Sequence, residues 1–251
     1  VRPFLERMAD QDAQGDFRPF TLDEEESIGV TFPKEPGIRG AFCSYERYLG
    51  EPFNGAVVPT LVRAVGVNGT GCLKLGSNYL LSVKAVQVAQ SIDSSALAAL
   101  FLDDRPDKPV REREITEWDS SCCLIALRDG RIIRIPDGPL ILPSVTIQGV
   151  VALATARGIA VEERNVTYGE LLDWVAQDQV VTICSVGTAG ILNRVSTLCL
   201  VDETCAPVGE MKADVNHPIY HALDEIRTEY WDIFRGVHPA PKGLLLERHI
   251  L

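Results

Sequence analysis

The chain has 251 residues, with 24 Lys and Arg against 35 Asp and Glu, for a formal net charge of -11. That balance repels phosphate backbones and argues against a nucleic-acid partner, and no run approaches the roughly 18 apolar residues of a membrane span. Hydrophobic residues at 46% and charged residues at 24% are enough to build the core of one large domain or two modest ones.

Residues 1–40 are polar, with an acidic cluster at Asp23, Glu24, Glu25 and Glu26. Val1–Asp10 has no apolar core of signal-peptide length, and an opening on Val1 instead of Met leads us to expect residues upstream. Ser27–Phe32 and Gly40–Tyr45 are short strand-like pieces. Residues 46–54, with Gly50, Pro52 and nearby Gly55, have turn and linker chemistry. Extended segments follow from Val57. Residues 78–93 read as a helix, because Leu81, Ala85, Val88 and Ala89 recur at helical spacing. Ala96–Asp103 is a buried strand ending in charge. Glu114–Glu117 and Cys122–Arg128 form a strand pair, and Asp129-Gly130 is the tight turn into Arg131–Ile135.

A helix over Thr146–Gly158 closes at a glycine cap, and Val161–Val166 is a strand. Thr167 caps a helix over Tyr168–Gln177, with Glu170 at the capping-box position. Val180–Ser185 is an apolar strand running into Val186-Gly187-Thr188-Ala189. Pro218–Phe234 is a last amphipathic helix, before the tail Val237–Leu251. The seven cysteines are odd in number and form no C-x-x-C pair, so they read as free thiols of a cytoplasmic protein. His217 and His221 share a helix face without a third ligand nearby, which reads as a surface pair and no metal site. Strands and helices mix without regular alternation. The fold class is therefore α+β (mixed α/β), with a large domain over residues 55–251 and a smaller unit over residues 1–54.

The segment Gly69-Thr70-Gly71-Cys72-Leu73-Lys74-Leu75-Gly76-Ser77-Asn78-Tyr79 is the most unusual in the chain. It holds a lysine between glycines ahead of a helix. Composition alone reads Lys74 as an exposed loop lysine. Burial would lower its pKa and make it a nucleophile able to form an imine.

The pattern G-T-G-x-x-K-x-G-x-N-Y resembles the cofactor-lysine motif of branched-chain aminotransferases, within the fold-type IV pyridoxal-phosphate enzymes. The resemblance continues in order over residues 55–235. Val110–Arg128 resembles the segment with the glutamate of the pyridine nitrogen, and Leu142-Pro143-Ser144-Val145-Thr146 the family's Leu-Pro-Gly-(Ile/Val)-Thr phosphate turn. Gly158–Arg164 matches the strand that follows, and Ser185–Gly190 resembles the Gly-Thr-Ala loop that takes phosphate and substrate carboxylate.

The resemblance implies a large domain of the fold-type IV kind, pyridoxal 5'-phosphate bound through Lys74, and Lys74 as the catalytic proton carrier. It implies Tyr79 at the ring oxygen and Glu117 at the ring nitrogen, with Glu112 and Glu114 as nearby alternatives. Leu142 would pack on the ring, Val145, Thr146 and Thr188 would hold the phosphate, and Ala189 would meet phosphate or substrate carboxylate. The reaction implied moves an amino group between an amino acid, branched-chain or otherwise hydrophobic, and a 2-oxo acid, in a homodimer. A carboxylate at the ring nitrogen favours its protonated form, which the chemistry needs.

Several positions depart from the family. Trp118-Asp119-Ser120-Ser121-Cys122-Cys123 replaces a glycine-containing stretch leading to Asn-(Leu/Ile/Val)-Phe, and Trp118 is expected to crowd the cofactor or reshape the pocket. Ser144 stands for Gly, Ile147 for Arg and Ser77 for a common Gly. Lys74 also comes early, implying a short or remodelled small domain. Its phosphate arginine has no marked counterpart, although Arg39 and Arg63 are available. These departures keep two other readings open. One is a fold-type IV enzyme with a changed reaction, a lyase or D-amino-acid transaminase; the other is a non-catalytic paralogue.

Overall fold

The computed structural model describes residues 14–24, 34–45, 51–64, 66 and 68–241. The chain divides into two units, Val1–Tyr48 and Leu49–Leu251. In the first, strands β1 (Gln14–Leu22) and β2 (Gly37–Tyr45) pair antiparallel without a register shift. Phe17 and Phe42 face each other across the pair at 5.1 Å, an aromatic cross-strand contact of the kind that steadies a ribbon. The expected strand Ser27–Phe32, Glu25 and Glu26 of the acidic cluster, and residues 242–251 of the tail lie outside the described residues.

In the second unit a nine-stranded sheet curls back on itself. Strand β3 (Phe53–Val58) runs parallel to β4 (Ala96–Leu102). Strands β4, β5 (Ile115–Trp118) and β6 (Cys122–Leu127) follow as antiparallel neighbours. Strand β6 also pairs with β9 (Val180–Gly187), β9 with β10 (Ile191–Val201), and β10 returns to β3, closing a barrel-like ring. Strands β7 (Ile132–Arg134) and β8 (Val161–Glu163) extend the sheet from β6, and β11 (Pro207–Lys212) from β10.

Side chains on a strand alternate between faces, and here both faces are apolar. Val57, Leu100, Cys123, Ile125, Ile183 and Val195 fill the interior with Trp118. The opposite phase of β3 and β4, Ala56, Val58, Ala99 and Phe101, meets Ala85 and Ala89 of helix α1 (Leu80–Ile92). Leu124 and Ala126 of β6 meet Ile147, Val150 and Leu153 of α2 (Val145–Ala156). Fully burying a side chain of this size stabilises the fold by about 1.5–3 kcal/mol, so two-sided burial explains why these strands read as continuous apolar runs.

Helix ends follow local chemistry. Thr167 Oγ1 accepts from the Glu170 amide at 3.1 Å to start α3 (Tyr168–Ala176). The capping box is not reciprocal, because the Glu170 carboxylate pairs with Arg164 at 2.7 Å. Helix α4 (Pro218–Arg235) starts with His217 Nδ1 accepting from the Ile219 amide at 3.2 Å. The His217 ring is thereby spent on capping, with Nε2 against the Arg128 carbonyl at 3.1 Å.

The linker reading of residues 46–54 needs correction at its end. Phe53 is already strand and buried, edge-on to Trp118 at 5.4 Å, so the boundary between residues 54 and 55 falls inside β3. Strands β10 and β11 were not anticipated.

Candidate active site

Lys74 is placed by its neighbours. Asn78 is buried at the start of the helical stretch and donates through Nδ2 to the carbonyls of Thr70, at 2.7 Å, and Leu73, at 3.0 Å, while Thr70 Oγ1 donates to Asn78 Oδ1 at 3.0 Å. The loop is thus folded back on the residue that follows it. Gly71 explains why the sequence needs glycine there: a Cβ would overlap the Pro139 carbonyl oxygen and lie 2.8 Å from Leu140 Cα. The Lys74 loop therefore sits directly on the segment leading to Leu142. The Lys74 side chain is exposed, and its Nζ donates to the Tyr79 phenol at 2.7 Å.

Beneath this pair lies a buried charge cluster. Glu117 on β5 is 2% exposed and Arg63, on the loop after β3, 5%, with Arg63 Nη1 2.5 Å from Glu117 Oε1. The Arg63 guanidinium also lies over the Tyr79 ring, 5.3 Å from its centre. The Leu142 amide donates to Glu117 Oε1 at 3.4 Å. Burial pushes the Glu117 carboxyl up to about 7, opposed by Arg63, the Leu142 amide and Lys74. Lys74, Tyr79, Glu117 and Leu142 are thus brought together. Glu112 is exposed, and Glu114 faces Arg105 at 3.4 Å and Asn165 at 3.1 Å instead.

Strand register carries the site onward. Glu117 opposes Cys122, and Cys122 opposes Val186 of β9. Cys122 Sγ donates to the Leu142 carbonyl at 3.8 Å, and burial, with Glu117 nearby, pushes its thiol up to about 12 against a hydrogen bond from Ser144. Ser144 is the N-cap of α2, its hydroxyl accepting from the Ile147 amide at 3.3 Å. In the next residues Val145 is 78% exposed and Thr146 is buried. Thr146 Oγ1 lies 3.5 Å from Thr188 Oγ1 and also meets the Tyr230 hydroxyl of α4. Thr188 is exposed and Ala189 half-buried, in the turn between β9 and β10. Below that turn Ser121 and Ser185 share a buried hydroxyl contact of 2.6 Å.

Helix amides not yet satisfied, two threonine hydroxyls and an open mouth make the start of α2 suited to an anion. A cation-forming ring nitrogen suits Glu117, and an aldehyde suits the Lys74 amine.

Trp118 does not crowd this site. Adjacent strand residues point to opposite faces, so it enters the barrel interior, where Nε1 donates to the Cys184 carbonyl at 3.1 Å. Gly55 makes room for it: a Cβ there would be 2.8 Å from the indole. Arg39 is on β2, paired with Glu24. The contact of Arg63 with Glu117 was not foreseen, since nothing local in the sequence marks Arg63. Asn78 was visible within the lysine motif, though not its task.

No family model matches the chain. It is 31% identical over 216 residues to branched-chain-amino-acid aminotransferase 5, chloroplastic, of Arabidopsis thaliana, covering 84% of this chain and 48% of that protein. It is 28% identical over 213 residues to branched-chain-amino-acid aminotransferase 2 of Bacillus subtilis, covering 84% and 56%. The chain spans about half the length of the curated relatives it matches. Among solved structures, the branched-chain aminotransferase from the thermophilic archaeon Thermoproteus uzoniensis with norvaline superposes with a TM-score of 0.67 at 19% identity, over 95% of this chain and 71% of that one. A bacterial branched-chain amino acid aminotransferase (T.th.) solved with pyridoxamine 5'-phosphate also gives 0.67, at 21%, over 93% and 70%. A putative 4-amino-4-deoxychorismate lyase from Legionella pneumophila gives 0.63 at 15%, over 91% and 75%. At such identities the structures establish the shared fold.

Proposed function

This chain is a divergent member of the branched-chain aminotransferase family of fold type IV, and we propose that it is a pyridoxal-phosphate-dependent aminotransferase. Its reaction moves an amino group between a branched-chain or other hydrophobic amino acid and a 2-oxo acid. The observation that carries this reading is the cluster of Lys74, Tyr79, Arg63 and Glu117, an amine on a phenol above a buried carboxylate. Donor chemistry supports the cofactor, as do the Arg63 donors Nε and Nη1, buried without a hydrogen-bond partner.

In this reading Lys74 binds the cofactor covalently, Tyr79 holds its ring oxygen, Glu117 its ring nitrogen and Leu142 a ring face. Val145, Thr146 and Thr188 hold the phosphate, and Ala189 offers its amide to the substrate carboxylate. Pyridoxal 5'-phosphate, when bound, supplies an aldehyde for amine capture and a ring that accepts the electron pair left by a departing α-proton. Lys74 Nζ takes that proton and returns it at the neighbouring carbon, general acid–base work for which a positioned side chain typically contributes about 10²–10⁴-fold. Its contact with the Tyr79 phenol orients the amine. Glu117 holds a proton at the ring nitrogen by its charge, in a setting that excludes water.

The reading includes a homodimer in the cytoplasm, with the unit Val1–Tyr48 as a short, remodelled small domain. Free cysteines support the compartment, and light scattering tests the dimer. The central test is absorption of the protein purified with pyridoxal 5'-phosphate. The expected result is a near-visible band that bleaches on adding leucine or valine, is absent from Lys74→Ala, and is fixed to Lys74 by borohydride. A folded protein with no band overturns the reading.

A further inference from the structure

Three arginines are buried in the second unit, and one differs from the others. Arg113 donates to the Pro59 carbonyl at 2.7 Å and also to the Asp103 carbonyl, and pairs with the Asp103 carboxylate. Arg194 pairs with Glu51 at 2.5 Å and Asp224 at 2.9 Å, and donates to the Tyr220 carbonyl at 3.2 Å. Those two are tied into backbone, as structural arginines are. Arg63 is as deeply buried, yet its Nε and Nη1 make no hydrogen bond, and its close contacts are the Glu117 carboxylate and the face of Tyr79. Both contacts are residues of the candidate site. A guanidinium stays charged throughout the working range, and burying one with unspent donors costs stability.

Resting on the cofactor reading above, we propose that Arg63 is a positioning residue that keeps Glu117 ionised and aimed into the site while no ligand is bound, and cedes part of that carboxylate to a cationic ring nitrogen. It acts through Glu117. The charged and titratable groups facing Glu117 are Arg63 and Lys74, which favour its ionised form, and Asp119 and the Cys122 thiol, which oppose it. Arg63 lies nearest of the two cations, in ion-pair contact, so its removal dominates the balance. Like a like-charge neighbour, it also competes with protonation of the ring nitrogen that shares the carboxylate.

Two measurements on the full chain test this. In the cofactor-free protein, thermal stability against pH reports the proton on Glu117. With Arg63→Met the carboxyl keeps its proton to higher pH, so the upper end of the pH-dependent decline moves up by about one unit or more; Arg63→Lys moves it back toward wild type. An unmoved upper end overturns the proposal. Arg63→Met is compared from about pH 5 upward, where the protonated carboxyl needs no cation, and the Arg63→Lys comparison stands if Arg63→Met does not fold.

In the loaded protein, Arg63→Met raises the pH midpoint of the cofactor's visible band, and has no effect on that midpoint in a Glu117→Gln background. A shift that persists there means that Arg63 touches the cofactor itself and overturns the positioning role. If the wild type takes up no cofactor, the aminotransferase reading fails, while the first measurement still decides whether Arg63 holds Glu117.

Discussion

Glu117 and Arg63 are 2% and 5% exposed, whereas Val145, at the helix-start end of the candidate site, is 78% exposed and Thr188 is open to solvent. One end is a dry charge cluster and the other a neutral set of hydroxyls and helix amides. The difference teaches where each end draws its strength. Charges in a dry site interact strongly but are costly to leave unpaired. Amides at a helix start are available without burial, and water satisfies them until an anion arrives. Mutations at the first end should therefore change pH dependence, and those at the second mainly affinity.

The largest effect is expected from Glu117→Gln in the cofactor-free protein. The native carboxyl, raised from 4.5 to about 7, keeps a proton that the unfolded chain has already released. With respect to this group, stability is thus highest below 4.5 and declines as pH rises through about 7, by an amount on the order of a few kcal/mol. Glu117→Gln should flatten that slope, read by thermal unfolding from about pH 4 to 8. A slope that survives the substitution assigns it to another group.

Gly71→Ala tests the seam between the two ends. Its methyl has backbone on two sides, the Pro139 carbonyl oxygen and Leu140 Cα, so the loop or the Pro139–Leu140 segment must move. Overpacking of this kind typically costs about 1–3 kcal/mol. Denaturant unfolding should show that loss, together with weakened cofactor uptake because Lys74 is displaced. Uptake at wild-type strength would mean that the loop position is immaterial.

Thr188→Val removes an exposed hydroxyl from the open end. Its effect on unfolding should stay within about 0.5 kcal/mol, while affinity for the phosphate-bearing cofactor falls by about 1 kcal/mol, roughly fivefold, the loss of one hydrogen bond. Equilibrium dialysis against cofactor measures it. Thr146→Val should behave differently, because buried Thr146 also meets the Tyr230 hydroxyl; it loses stability as well as affinity.

What the sequence made legible follows this division. Capping at Thr167 and the turn at Asp129-Gly130 rest on neighbours within a few residues, and both appear where their chemistry places them. The lysine motif and the phosphate turn were legible through resemblance, and the structure brings Lys74, Tyr79, Glu117 and Leu142 together. Arg63 was not legible, because its partner lies across the fold and the intervening chain carries no pattern joining them. Trp118 was misread for a related reason. Its neighbour Glu117 faces the site, and only strand alternation, with the space at Gly55, shows that the indole turns inward. Strand β10 eluded the reading because Asn193, Arg194 and Ser196 interrupt its apolar pattern, and Arg194 is buried only by pairing with Glu51 and Asp224.

Ser144 gives the smallest effect and the sharpest contrast. As N-cap of α2 it takes the Ile147 amide at 3.3 Å, a long hydrogen bond, so Ser144→Ala should cost about 0.5 kcal/mol, the low end for a cap. The same hydroxyl competes with an anion for that amide, in a turn where the resembled family has glycine and no cap side chain. Removing it frees one more donor at the helix start, where anions gain from both the amides and the helix dipole. Stability and affinity should therefore move in opposite directions: slightly easier unfolding, and cofactor bound as tightly as in wild type or tighter. Paired dialysis and thermal unfolding on Ser144→Ala decide this, and a joint loss would show that the cap's work is to hold the turn in shape for the phosphate.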